Sequence, residues 1–162
     1  MIPDQATVSA PSVPHSREAE EGALGAVLIN PDVYVDLAAF LKADDFYIHR
    51  HRWTWEAMLR LVERKIPVDL LTLAEELERF GQLAEIGGPA YLTGLVNQVP
   101  SSLNAEAYAQ IVAAHATRRR MIQAANQIAV LAYDEKQDVA ESTEQAVKAL
   151  EQIAMRTSGE AL

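Results

Sequence analysis

The chain reads as an all-α protein, a compact head of short helices followed by a long helical hairpin, and three observations carry that reading. Apolar residues recur at i, i+3, i+4 and i+7 in one segment after another, the spacing of a helix face. Start and stop signals bracket those segments: Ser16, Asn30 with Pro31, and Asp69 at starts, Gly81 and Pro100 at ends. Finally, the stretch from Ala105 to Tyr133 contains neither glycine nor proline, which predicts one helix roughly 43 Å long at 1.5 Å per residue.

In chain order, residues 1 to 14 are rich in Pro, Ser and small side chains and predict a disordered entry segment. Ser16 caps a first helix whose Glu18, Glu20 and Glu21 lie in the first turn, where the helix dipole favours anions, and which runs to about Ile29. Asn30 caps a second with Pro31 at its first position, ending near Leu41. Asp44 and Asp45 then form a turn and cap the next helix, on which Trp55, Met58, Leu59 and Val62 make an apolar stripe as far as Lys65. Asp69 starts a helix carrying Leu70, Leu73, Leu77 and Phe80, which Gly81 stops. Gly87, Gly88 and Pro89 precede a short helix from Ala90 to Val99.

Pro100 and the two serines after it mark a boundary between a head (15–100) and a hairpin (101–156), with a short tail (157–162) beyond. The first hairpin arm carries two adjacent apolar rows, Met121, Ala124, Ile128, Leu131 and Ile122, Ala125, Ala129, Ala132. After a polar turn at Asp134 to Gln137, Val139, Thr143, Ala146, Leu150 and Ile153 alternate spacings of four and three, a seam for helix pairing. One partner helix covers one row, so the first arm has apolar surface left over. For Ile122 and Ile128 taken singly, intra-hairpin core and contact with another molecule remain equal alternatives.

Composition narrows the function. There is no cysteine, which removes disulfides, thiol nucleophiles and thiolate zinc sites. The expectation is a cytoplasmic chain with no membrane association, since no signal-like start or long apolar run is present. A net charge of −9 disfavours direct gripping of nucleic acid, which rests on cationic neutralisation of phosphates. Arg118, Arg119 and Arg120 are the one basic cluster; consecutive helical positions fan over most of a turn, and the expectation is a solvated surface.

A search for catalytic patterns is negative. No glycine precedes a lysine, so no phosphate-cradling GK[ST] loop exists and ATP hydrolysis is not expected. His49 and His51 are two apart, which points their imidazoles in divergent directions; polar contacts at a helix start are expected, and no metal or other cofactor is assigned. Trp55 belongs to the core rather than to a base-stacking platform, and Gly22 and Gly25 on the first helix permit close packing.

Five segments in order, PHSREAEEGALGAVL (Pro14 to Leu28), DDFY (Asp44 to Tyr47), PVDLLTLAEELERFGQL (Pro67 to Leu83), GGPAYL (Gly87 to Leu92) and VPSSLNAEAYAQIV (Val99 to Val112), resemble the N-terminal domain of DnaB-type replicative DNA helicases. The resemblance implies a collar of paired domains, a dimer or a trimer of dimers, stacked on a ring of motor domains that bind ATP and Mg and lie C-terminal to this region. It implies that this chain alone has no catalytic site, that it docks the C-terminal domain of a DnaG-type primase, and that it meets DNA only through the complete ring. The residues it points to are Tyr91 on the head and Ile122 and Ile128 on the hairpin, to which the apolar rows add Met121, Leu131, Leu150 and Ile153; for Tyr91, which follows a Gly-Gly-Pro turn, a packed helix-start aromatic is favoured over a partner contact. A stand-alone helical adaptor of the replication machinery is the alternative.

Two rivals from other classes are disfavoured. A helical DNA-binding regulator needs a basic recognition helix, and a bundle metalloenzyme needs paired Glu-x-x-His motifs; neither is present.

Overall fold

The computed structural model describes residues 12–99 and 101–157. Helices are α1 (Arg17–Ile29), α2 (Val33–Ala38), α3 (His49–Glu63), α4 (Leu70–Arg79), α5 (Leu83–Ile86), α6 (Gly88–Gln98), α7 (Ala105–Tyr133) and α8 (Val139–Thr157), with single 3-10 turns at Ala43–Asp45 and Ser102–Asn104. No strand occurs among the described residues, and the all-α class with its terminal hairpin stands. The expected disordered entry lies outside the described residues as far as position 11; positions 158–162 of the tail and the Pro100 stop signal lie outside them too.

The centre of the head is α1, buried almost continuously from Ala19 to Val27 and packed against α6 and α7. Its two glycines make that approach possible. A Cβ on Gly22 would stand 2.8 Å from the Tyr108 ring, and one on Gly25 would stand 2.4 Å from the Leu95 carbonyl oxygen. Ser16 caps α1 by accepting from the Ala19 amide at 3.1 Å, as its position predicts. Leu24 of α1 closes one core with Leu37, Phe46, Trp55, Met58, Leu73, Leu77 and Leu92. Tyr34 lies against Trp55 with ring centroids 4.6 Å apart, and burial pushes its phenol up to about 12.

Several sequence expectations shift. The second helix begins at Val33, because the Asn30 side chain accepts from the Asp32 amide at 3.2 Å and holds Pro31 and Asp32 in a turn. It ends at Ala38, although the Leu41 amide still donates to Leu37. On α3 the stripe shifts by a step: Leu61 is buried and Leu59 is 41% exposed. That helix stops at Glu63, and Lys65 adopts a left-handed φ of 59°. Phe80 is 52% exposed beneath the Arg60 guanidinium, 3.8 Å from its ring centre, so that face is closed by a cation over a ring. Asp69 caps α4 as expected, reciprocally with Thr72, and Gly81 at φ 66° ends the segment.

The first half of α7 belongs to the head's packing, with Ala105, Ala109, Val112 and Ala116 all buried. Its second half pairs with α8, and α8 itself has no fully buried residue.

Candidate partner-binding surface

Charged side chains inside the head serve structure. Glu20 sits on the same face of α1 as Ala23, Leu24 and Val27 and is 1% exposed. Its carboxylate accepts from the backbone amides of Tyr47 (3.2 Å) and Ile48 (3.1 Å) and contacts His51 Nδ1 at 3.0 Å. The start of α3 is thus capped from another helix. Asp44 and Asp45 do not cap it, contrary to expectation, because the intervening Phe46–Ile48 strand of chain carries the start of α3 over to Glu20. Asp45 instead accepts from the Lys42 amide at 2.7 Å, closing its own 3-10 turn. Glu76, equally buried, takes Arg60 at 2.8 Å, Arg79 at 3.3 Å and Arg64; burial alone would raise its pKa, but the three guanidiniums hold it below the ordinary carboxylate value.

The histidine pair makes helix-start contacts. His51 is wholly buried against Glu20, and His49 packs on Trp53 with centroids 4.0 Å apart. Among the described residues no three His, Cys, Asp or Glu side chains converge as a metal site. The arginine cluster departs from its expected solvated state. Arg118 is exposed, but Arg119 donates to the carbonyls of Pro14 (2.8 Å) and Asp45 (2.6 Å), and Arg120 pairs with Asp45 at 2.5 Å. Arg119 and Arg120 look solvated only while the turn they reach is unknown.

Tyr91 on α6 is half-buried. Its ring stacks on His51 at 6.0 Å, Arg50 stands 4.6 Å above it, and burial drives its phenol well above the ordinary range. The hydroxyl end is inside the head, so a partner would meet only the ring's outer edge.

On the hairpin, the seam between arms is made by Ala124, Ile128 and Leu131 of α7 and by Ser142, Ala146, Ala149 and Ile153 of α8. The expected α8 seam keeps Ala146 and Ile153; Val139, Thr143 and Leu150 are exposed, Val139 at 79% and Leu150 at 53%. Positions 142, 146, 149 and 153 also alternate four, three, four, so two stripes overlap in the sequence. The one with smaller residues is the half-buried one. Met121 likewise leaves its row for the flank, at 56% exposure. The second α7 row is open throughout: Ile122 is 46% exposed, and Ala125, Ala129 and Ala132 are exposed. With Val130, Tyr133 and Val147 also outside, the second half of the hairpin leaves apolar side chains exposed on both arms.

The fold is thus an all-helical head with buried ion clusters and a helical hairpin that leaves apolar side chains exposed. The chain belongs to the family described as the DnaB-like helicase N-terminal domain, whose model matches residues 12–114. It is 38% identical over 143 residues to the replicative DNA helicase DnaB of Geobacillus stearothermophilus, covering 88% of this chain and 32% of that protein. The chain therefore spans about a third of the length of such curated relatives. Its fold matches the crystal structure of the N-terminal domain of DnaB helicase from Mycobacterium tuberculosis with a TM-score of 0.82 at 37% identity, covering 86% of this chain and 98% of that one. A structure of a DnaB-like replicative helicase, described with its interactions with primase, matches with a TM-score of 0.71 at 25% identity over 90% of this chain and 34% of that one. No helix among the described residues is long and apolar enough to cross a membrane.

Proposed function

We propose that this domain is the non-motor collar of a replicative DNA helicase: it pairs with copies of itself through the hairpin and receives the C-terminal domain of a DnaG-type primase on the hairpin and the adjoining head. Unwinding belongs to ATP-driven motor domains outside this chain, and the collar organises them. The observation that carries the reading is the uncovered apolar row of α7 with the exposed flank of α8. Left in water, such a surface forgoes roughly 25 cal/mol for every Å² not buried. A two-fold pair offers the same patch to itself and covers it at no cost in specificity. The family match and the primase interaction of the structurally similar helicase support the second part.

Ile122 and Leu150 are the side chains whose exposure suits this role, with Met121 beside them, while Ile128, Leu131 and Ile153 support the surface from the seam. The test is calorimetric titration of a DnaG-type primase C-terminal domain into the purified domain. Saturable binding that weakens at least tenfold in Ile122→Glu, with the circular dichroism spectrum unchanged, supports the proposal. Absence of binding to the wild type refutes the primase part.

A further inference from the structure

One aspartate joins four parts of the chain. Asp45, whose side chain is 3% exposed, has Oδ2 committed to the Lys42 amide at 2.7 Å, which fixes the turn it sits in. Its Oδ1 faces the hairpin and takes Arg120 of α7 at 2.5 Å and Arg156 of α8 at 2.9 Å. Arg156 also reaches Asp44 at 2.7 Å, and Asp44 stands 3.6 Å from Arg120. Arg119 adds the Asp45 carbonyl and, through Pro14, the chain entering α1. Arg120 and Arg156 belong to different arms and are 36 positions apart (156 − 120), yet both end on the same oxygen.

Against this convergence stands the weakness of α8 elsewhere. Not one of its residues is buried, its long packing is against α7 alone, and Ala146 and Ala149 are the small side chains in that seam. Local opening is favoured where buried apolar contacts are few. A helix with so little burial is held in place by what grips its end.

We propose that the Asp44–Asp45 turn is an electrostatic latch that fastens the last turns of α8 to the head through Arg156, and that α8 opens as a unit of its own when the latch is released. The two halves differ by design of exposure. Asp45–Arg120 is the fixed half, with Arg120 at 21% and Asp45 at 3% exposure. Asp44–Arg156 is the working half, with 66% and 40%, where solvent ions and a competing charged group have access. Release leaves the turn, α7 and the head core in place. Leu150 and Ile153 lie within the two turns next to Arg156, so the latch also governs how the α8 flank of the hairpin is presented; that consequence alone rests on the assembly reading above.

The experiment is hydrogen exchange with peptide-resolved mass spectrometry on the whole chain, in wild type, Arg156→Gln and Asp44→Asn. Arg156→Gln is expected to speed exchange of residues 146–155 by roughly tenfold, the scale of losing charge-assisted hydrogen bonds at a partly exposed site. Amides of α1 and α3 keep their wild-type rates. Asp44→Asn shifts the same peptides in the same direction by less, because Asp45 still holds Arg156. In wild type, raising NaCl from about 0.05 to 0.5 M accelerates these peptides as screening grows, and in Arg156→Gln it does not. Unchanged exchange of 146–155 in Arg156→Gln, wild-type peptides already unprotected at low salt, or equal acceleration throughout the head would each overturn the latch.

Discussion

Removing the carboxylate of Glu20 tests the account of the head where it is most quantitative. Glu20→Ala withdraws the acceptor from two backbone amides, Tyr47 and Ile48, and from the His51 imidazole, all at 3.0–3.2 Å and on a side chain 1% exposed. A buried polar group left unpaired costs about 1–3 kcal/mol. Three such groups, with some relief from water entering the vacated space, give a loss of about 3–5 kcal/mol. Domains of this kind are stable by about 5–15 kcal/mol in all, so the variant stands near the edge of folding. Glu20→Gln keeps one acceptor oxygen and turns an amino group toward a donor, for about 1–3 kcal/mol. Urea titration followed by the fluorescence of Trp53 and Trp55, both on the helix that Glu20 caps, reads the change directly. With a slope of about 1–3 kcal/mol per molar urea, Glu20→Ala lowers the midpoint by more than 1 M. A shift of less than 0.3 M, with slope unchanged, would show that α3 does not depend on a cap from α1.

Three further outcomes follow from the same geometry. Tyr34 has its folded pKa raised from 10.0 to about 12 by burial, so the unfolded chain releases its proton first; the stabilising difference is complete below pH 10 and is lost as pH rises from 10 to 12. Absorbance at 295 nm should show the ionisation of Tyr34 and Tyr91 delayed to strongly alkaline pH, and completion of all tyrosine ionisation below pH 10.5 would contradict the burial that raises both. Gly25→Ala places a methyl 2.4 Å from the Leu95 carbonyl oxygen, a backbone atom that cannot swing aside; an overpacking cost of about 1–3 kcal/mol is expected in the same urea assay, and a neutral result would mean that α1 and α6 are farther apart. Glu76 has its pKa depressed by Arg60, Arg64 and Arg79 despite burial, so its contribution is present above the unfolded carboxylate pKa and disappears as pH falls through the folded one. Glu76→Gln should therefore flatten the acid limb of the melting temperature against pH, and an unchanged limb would refute the ion cluster.

Much of the fold was legible because it is written in local signals. Ser16, Asp69 and Gly81 act where they stand in sequence, and α7 runs from Ala105 to Tyr133 because nothing inside it breaks a helix. What could not be read depends on contacts between distant segments. Glu20 looked like a first-turn anion, and only its place on the stripe with Leu24 and Val27 hinted that it was a core acceptor. Asp45, Arg119, Arg120 and Arg156 form one network across 111 positions, and no periodicity links an acidic turn to two hairpin roots. The candidate surface divides in the same way. Excess apolarity on α7 was evident from two adjacent rows, but which of the overlapping α8 stripes turns inward depends on how the two arms pair, which no local pattern states. That pairing places Leu150 outside and Ala149 within. Tyr91 shows the limit of a motif: its ring is half-buried and its hydroxyl lies inside the head.

If the uncovered apolar face of the hairpin pairs with a second copy, sedimentation equilibrium of the isolated domain reads that pairing without an intermediary. A wild-type dimer or larger assembly is expected at micromolar concentrations, and monomers for Ile122→Glu and Leu150→Glu, each exposed enough to accept a charge, with melting temperature within about 2 °C of the unassociated wild type. A wild-type domain that stays monomeric up to several hundred micromolar, or folded variants that associate as the wild type does, would contradict it.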